Sequence, residues 1–458
     1  MTQQGVRWTV EQVLALAPDA ASRKAGSRLG VAGPWSATGA NGEAVWGLCK
    51  GSGSKPYQTV VAVHDAQAAA GPGYKCSCPS RKFPCKHALG LLLLWAEGAS
   101  TVPYGQDPPE WAGQWLEGRR QRTGQKVADA APASGGRSAD PAAARRRAEL
   151  RAEGIAAGAA ELEQRLIDLL HGGLAAADGA GYAAWDETAA RMVDAKAAGL
   201  AARVRELGTI PSSGAGWPAR LLEECALLHL LIRAYLGISG LPEPLAATVH
   251  ARVGLTTDTA DLLAGGQAAV RDRWLVLAQQ DSSDGKLTTR RIWLRGEGSG
   301  RAALLLSYGA AGAAPPLALP TGLSLDAALT FYPGSRPLRA ALGEQFTPPA
   351  PGTAPPGSGV EKALAAYGDG LREDPWLDTW PVVLSDVVPL PGPDGWQLAD
   401  AAGDAALPVD PRCLGRTGLW QLASVSGGGA LTVFGTCGHR GFTPLTAWSP
   451  DTAEAVSL

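Results

Sequence analysis

Apolar positions recur at different periods along this chain, and the changes of period divide it. Residues 8–30 carry a helical signal. Val10, Val13, Leu14 and Ala17 fall at i, i+3, i+4 and i+7, and Thr9 followed by Gln12 has the form of a capping box. AVWGLC at 44–49 predicts a strand, GSGSKP at 51–56 a turn, and the β-branched, aromatic YQTVVAVH at 57–64 a second strand. YKCSC then predicts a short third strand. From Cys85 the pattern turns helical and runs to Glu97, with Gly98 as its stop. PPEWAGQWLEGRRQR at 108–122 predicts a further helix.

Residues 124–141, rich in Ala, Ser, Gly and Pro, carry no apolar period and are expected to be a linker. Helical stripes follow: Leu162, Leu166, Leu169 and Leu170; then Trp185, Ala189, Met192 and Leu200; then Leu221, Leu222, Cys225 and Leu228. They predict a bundle or array over 142–265. After 270 the period becomes two. RWLVLAQQ, LTTRRIWLRG and RAALLLSY, separated by DSSDGK and GEGSG, predict a β-meander, and ALTFYPG adds a strand. Residues 360–374 suggest a short helix. VVLSDVVPL, GWQLAD, GLWQLASV and ALTVFG read as strands of a small barrel or sandwich. The expected class is α+β. The divisions are an N-terminal α/β domain at 1–102, a helix and linker at 103–141, a helical region at 142–265, and one or two β domains at 270–458.

Composition narrows the function classes. The chain has 458 residues, a formal net charge of −2 and only 18% charged residues, so it lacks the overall basic footprint of a dedicated nucleic-acid binder. The N-terminus MTQQGVRWTVEQ has no apolar secretory core, and the apolar run ALGLLLLWA at 88–96 is far short of the ~20 residues of a membrane span. Seven cysteines, an odd number, argue against a disulfide framework. A reduced cytoplasmic setting is expected.

Chemistry concentrates in YKCSCPSRKFPCKH at 74–87. Cys76, Cys78, Cys85 and His87 have the spacing C-x-C-x6-C-x-H. Thiolate and imidazole suit Zn2+, which takes four such ligands in a tetrahedron and then has no open position for water. Residues i and i+2 of a strand share a face, so a strand would aim both sulfurs of the C-x-C pair at one ion. Pro79 and Pro84 frame the return of the chain to Cys85. The set predicts one structural zinc ion that staples a hairpin to a helix N-terminus. A C-x-C pair is not the C-x-x-C of a redox site.

The C-x-C-x(n)-C-x-H pattern, with the flanking words CKGSGSKPYQ at 49–58 and CPSRKFPCKHALGLLLLWAEG at 78–98, resembles the SWIM zinc finger, and in particular the bacterial SWIM zinc finger proteins. That resemblance implies a ββα finger over about 57–98, with Cys76, Cys78, Cys85 and His87 as zinc ligands. It implies contacts to DNA or to other proteins. By family context it also implies partners among AAA-type ATPases and von Willebrand A-domain proteins. The helix after His87 is apolar nearly all round, so the finger is expected inside a domain core and not as a free reading head.

Lys75, Arg81, Lys82 and Lys86 surround the ligands. They read either as a phosphate-binding patch or as a solvated rim that offsets thiolate charge. Arg119, Arg120, Arg122 and Arg145–Arg147 add local positive charge beside the linker. Cys437-x-His439 has the form of half a zinc site, with Cys413 as its only neighbour in sequence. Cys225 and His229 sit on an apolar helix stripe and read as core or boundary residues, and His64 ends a strand near the finger. No nucleophile elbow, HExxH or phosphate-loop spacing occurs. The expectation is a non-enzymatic zinc-binding interaction protein, with a DNA- or RNA-binding role for the basic loop as the alternative.

Overall fold

The computed structural model describes all residues except 1–6, 15, 18–19, 52–54, 64–71, 81–83, 99, 131–140, 175–180, 285–286, 311–314, 394, 415–416 and 451–453. The fold is α+β. The N-terminal region is an antiparallel meander of β1 (Trp35–Ala40), β2 (Ala44–Cys49), β3 (Tyr57–Ala62) and β4 (Gly73–Cys76), in that order across the sheet. Strand alternation sorts its side chains. Val45, Cys49 and Val61 face a core shared with α1 (Val10–Leu14) and α3 (Lys86–Glu97), to which α2 (Ala20–Ser27) adds Leu29 just past its end. Ala44, Trp46, Val60 and Ala62 face Ala112 and Leu116 of α4 (Glu110–Ala130). The sheet therefore has helices on both faces. Residues 8–30 form two short helices in place of one long one, and β1, which no strong β-branched pattern announces, completes the sheet.

Helix α3 is the axis of this region. Its residues from His87 to Trp95 are all buried. At Gly90 an added Cβ would lie 2.6 Å from Leu29 Cβ, so only glycine lets the chain after α2 come this close. The C-terminal turn of α3 is held by Arg7, whose guanidinium donates to the carbonyls of Trp95 (2.5 Å) and Val102 (3.1 Å).

Helix α4 continues through Ala130, into the first part of the expected linker. Beyond it come α5 (Pro141–Gly172), α6 (Gly181–Asp194), α7 (Ala198–Thr209), α8 (Trp217–Leu236), α9 (Glu243–Val253) and α10 (Thr259–Ala264). Leu162, Leu166, Ala189, Met192, Leu200, Leu221, Cys225 and Leu228 meet in one core. Leu170 and Leu222 point outward, at 45% and 48% exposure.

The C-terminal half contains two six-stranded sheets. One has the order β10 (Ala350–Pro351), β8 (Leu323–Phe331), β5 (Val270–Ser283), β6 (Leu287–Gly296), β7 (Ala302–Ala310), with β9 (Ala340–Gln345) also on β8. Leu304 N donates to Leu338 O at 2.7 Å, so β7 is drawn to the lead-in of β9 and the sheet curls round Trp274, Val276, Ile292 and Leu325. The other has the order β13 (Ala406–Pro408), β12 (Gly395–Asp400), β11 (Thr379–Gly392), β14 (Leu431–Gly438), β15 (Gly441–Trp448), β16 (Ala455–Ser457). Its inner face packs on α11 (Val360–Glu373) and α12 (Gly418–Ser426). The two sheets meet through Leu275, Leu277, Trp293, Val383, Phe434 and Leu445.

GLWQLASV, expected as a strand, is helix α12. Leu419, Leu422 and Ser426 are buried at helical spacing, while Trp420 is 69% exposed. In so short an apolar run the two periods cannot be told apart by pattern alone. Gly427 and Gly428, both at positive φ, end it.

Contacts cross between regions. Ala318 and Leu323 of the first β-sheet region join the N-terminal core. Trp376 enters the helical core, where its indole donates to Leu227 O at 2.9 Å, and Arg252 pairs with Asp374 at 2.5 Å. Among the described residues no helix is long and apolar enough to cross a membrane.

Candidate metal centre

The end of β4 and the start of α3 bring the four ligands together. Cys76 is the last residue of β4, Cys85 is the N-cap of α3, and His87 is its second residue. The four donor atoms of Cys76, Cys78, Cys85 and His87 all lie within 4.8 Å of one another. A tetrahedron with Zn–S of about 2.3 Å and Zn–N of about 2.0–2.1 Å has edges of about 3.5–3.8 Å. The separation of Cys76 Sγ and His87 Nδ1, 3.7 Å, is one such edge.

The C-x-C pair reaches this geometry differently from the expected shared strand face. Cys78 lies in the bend after β4. The chain turns there, so that the backbone N–H of Cys78 bonds back to the Cys76 sulfur. Backbone N–H groups also reach the other sulfurs: Ser80 bonds Cys78, and Ala88 bonds Cys85. Thr59, paired with Cys76 across the β3–β4 ladder, places Oγ1 3.2 Å from Cys76 Sγ. Such donors stabilise thiolate and fix the direction of its lone pairs, as outer partners of metal ligands do.

Electrostatics fits the same picture. Cys76 is drawn well below the ordinary thiol range, first by its hydrogen bond with Cys85, and further by His87, Thr59 and the Cys78 backbone, against the effect of burial. Cys85 is pushed up, first by the same bond to Cys76 and then by burial. Burial raises Cys78. Thiols that compete for protons at this distance relieve the competition together when a dication takes their place. The Tyr57 ring packs against the His87 ring at a tilt of 38°, with centroids 4.8 Å apart.

Residues 69–96 match the family model described as SWIM zinc finger. Residues 150–253 match a second model, the SWIM-associated four-helix bundle domain. No curated protein and no solved structure matches the chain. The SWIM motif and the Cys3His cluster are consistent with one structural Zn2+.

The remaining sequence candidates are dispersed. Lys86 is exposed at the start of α3 beside the ligands. Lys75 is exposed on β4, and alternation sends it to the face opposite Cys76. Arg81, Lys82 and His64 lie outside the described residues. The structure adds Lys50. With Lys86, Ser22, Leu29 and Tyr57 it lines a hollow of about 560 Å³ beside Cys78, Cys85 and His87, with no carboxylate among the described residues of its wall. Cys49, also near the ligands, is pushed up to about 11, first by burial and then by Cys76, which keeps it a neutral thiol. Thr59, Tyr57, Lys50 and Cys49 lie on or beside the predicted strands at 44–49 and 57–64, but nothing in sequence spacing gives the register that aims them at the ligands.

Proposed function

We propose that this is a non-enzymatic interaction protein, in which zinc staples a SWIM finger into a folded core and the assembled surfaces dock protein partners. The observation that carries the reading is the burial of α3 from His87 to Trp95. A helix covered on all sides is not a reading helix for a nucleic-acid groove. The near-neutral charge of the chain supports the same reading. The partner classes to try first are AAA-type ATPases and von Willebrand A-domain proteins. In the test, each purified candidate is titrated against the full chain and against Cys76→Ser/Cys78→Ser. Binding that requires the intact zinc site supports the reading. Absence of binding by every candidate, together with tight nucleic-acid binding, overturns it.

A second reading rests on the hollow beside the ligands, where Lys50 and Lys86 stand with no carboxylate among the described lining residues. A DNA or RNA backbone following that hollow would meet positive charge. A salt series with single- and double-stranded oligonucleotides decides the matter, because a phosphate-dominated complex weakens steeply as salt rises. Steep salt dependence that is reduced by Lys50→Ala and Lys86→Ala favours the second reading. No binding at low salt removes it.

A further inference from the structure

A second cavity, of about 520 Å³, lies between the two β-sheets of the C-terminal half. This is within the size range of small-molecule sites. One wall is Arg295 from the end of β6, Arg301 from the β6–β7 turn, and Arg336 from the segment between β8 and β9. The lining also includes apolar side chains, among them Trp380, Val382 and Phe434. Among the described residues no Asp or Glu lines it.

Several other arginines are paired, Arg252 with Asp374, Arg290 with Asp281 and Arg412 with Asp410; Arg336 also borders a neighbouring cavity whose lining includes Asp281, Asp374, Asp378 and Asp410. Arg295, Arg301 and Arg336 are half-buried, and among the described residues none of them makes an ion pair. Arg301 lies over Phe331 at 3.5 Å from the ring centroid and Arg336 over Trp380 at 4.6 Å, so aromatic faces fix two of the guanidinium planes. Burial pulls Arg295 and Arg301 below their ordinary range, which means that water solvates them poorly. Half-buried cations facing one cavity without a counter-charge are costly unless an anion joins them.

We propose that this cavity binds a small phosphorylated molecule, its phosphate held by Arg295, Arg301 and Arg336 and its less polar body against Trp380, Val382 and Phe434. Guanidinium forks match phosphate oxygens two at a time, and three of them suit a dianion better than a single carboxylate. The site is distinct from the zinc centre and does not depend on the docking role proposed above.

Calorimetric titration of the full, zinc-loaded chain at fixed ionic strength tests this, with inorganic phosphate, AMP and succinate as probes. AMP or phosphate is expected to bind and succinate to bind more weakly. AMP tighter than phosphate supports a phosphate ester with its body on the apolar side chains, and the reverse order overturns that part of the proposal. Arg295→Gln and Arg301→Gln are each expected to weaken binding about 10–100-fold, the loss of a charge-assisted pair of hydrogen bonds, with zinc content unchanged. Arg295→Lys retains the charge and is expected to fall between, and it carries the test if a glutamine variant does not fold. No binding of either phosphate probe, binding equal to that of succinate, or binding unchanged in the variants overturns the proposal.

Discussion

Cys85-x-His87 and Cys437-x-His439 present the same residue types at the same spacing, one at the start of helix α3 and one at the end of strand β14. At the helix start, one residue of separation swings both side chains toward the turn that carries Cys76 and Cys78, and four donors converge. At the strand end, Cys437 points into the core beneath α11 and α12, and His439 passes into an exposed hairpin turn, where Arg440 donates to it at 3.3 Å. Cys413 shares that core with Cys437. Spacing thus becomes a metal site only when the local conformation and a second pair of ligands agree. The contrast also separates two modes of support. The N-terminal region closes around an ion, whereas the C-terminal half closes around packed strands and paired charges.

Metal content tests that contrast most directly. Cys85→Ala should lower bound zinc from about one ion per chain to none and melt the N-terminal region first, because the binding energy of a structural ion is folding energy. Cys437→Ala should leave zinc unchanged and cost about 1 kcal/mol of packing. Elemental analysis with thermal melting reads both, and equal zinc loss in the two variants would erase the distinction. A chelator should act as Cys85→Ala does, and acid should release zinc because the ligands take up protons in its place.

Trp376→Ala comes next. It removes a buried indole and its bond to Leu227 O, so a loss of about 3–5 kcal/mol in denaturant unfolding is expected, with zinc still bound. Loss of zinc in this variant would show that the two regions do not stand separately. Gly90→Ala forces a Cβ against Leu29 and should cost about 1–3 kcal/mol, felt in the N-terminal region. A neutral result there would mean that α3 has room to shift. An effect as small as that of Cys437→Ala is expected at Asp410. Burial pushes its carboxyl up, but hydrogen bonds from the Arg412 side chain and backbone outweigh this and hold it below the ordinary range. A depressed folded pKa contributes stability above the unfolded value of about 3.9, and that stability is lost as pH falls through the folded value. Asp410→Asn should therefore destabilise by about 1 kcal/mol at pH 7, with the gap closing in acid below about pH 4. A gap that persists in acid would assign the effect to shape and not to charge.

The candidate centre is largely legible in the sequence. Four soft ligands in fourteen residues, with proline framing and a helix following, announce a zinc site whatever the rest of the chain does. The apolar run of α3, the strands at 44–49 and 57–62, the bundle stripes and the β-meander after 270 also follow from periodicity. The failures have local causes. GLWQLASV is too short for its period to be unambiguous, and β1 has Ser, Ala and Gly at most of its positions, where a strand signal needs β-branched or aromatic residues. Spacing alone puts the C-x-C pair on one strand face, but the chain bends at Cys78 to accommodate N–H···S bonds that no spacing reveals.

The ligand set, the period of the longer segments and the apolar character of the finger helix depend on neighbours along the chain, and the sequence alone settles them. Which residues meet across the chain is settled by the tertiary fold. Thr59 and Lys50 come to the zinc ligands, Trp376 enters the helical core, and Arg295, Arg301 and Arg336 line one cavity. Those meetings depend on strand register and on how separate elements pack, and residues brought together from opposite ends of a fold leave no periodic trace in the sequence.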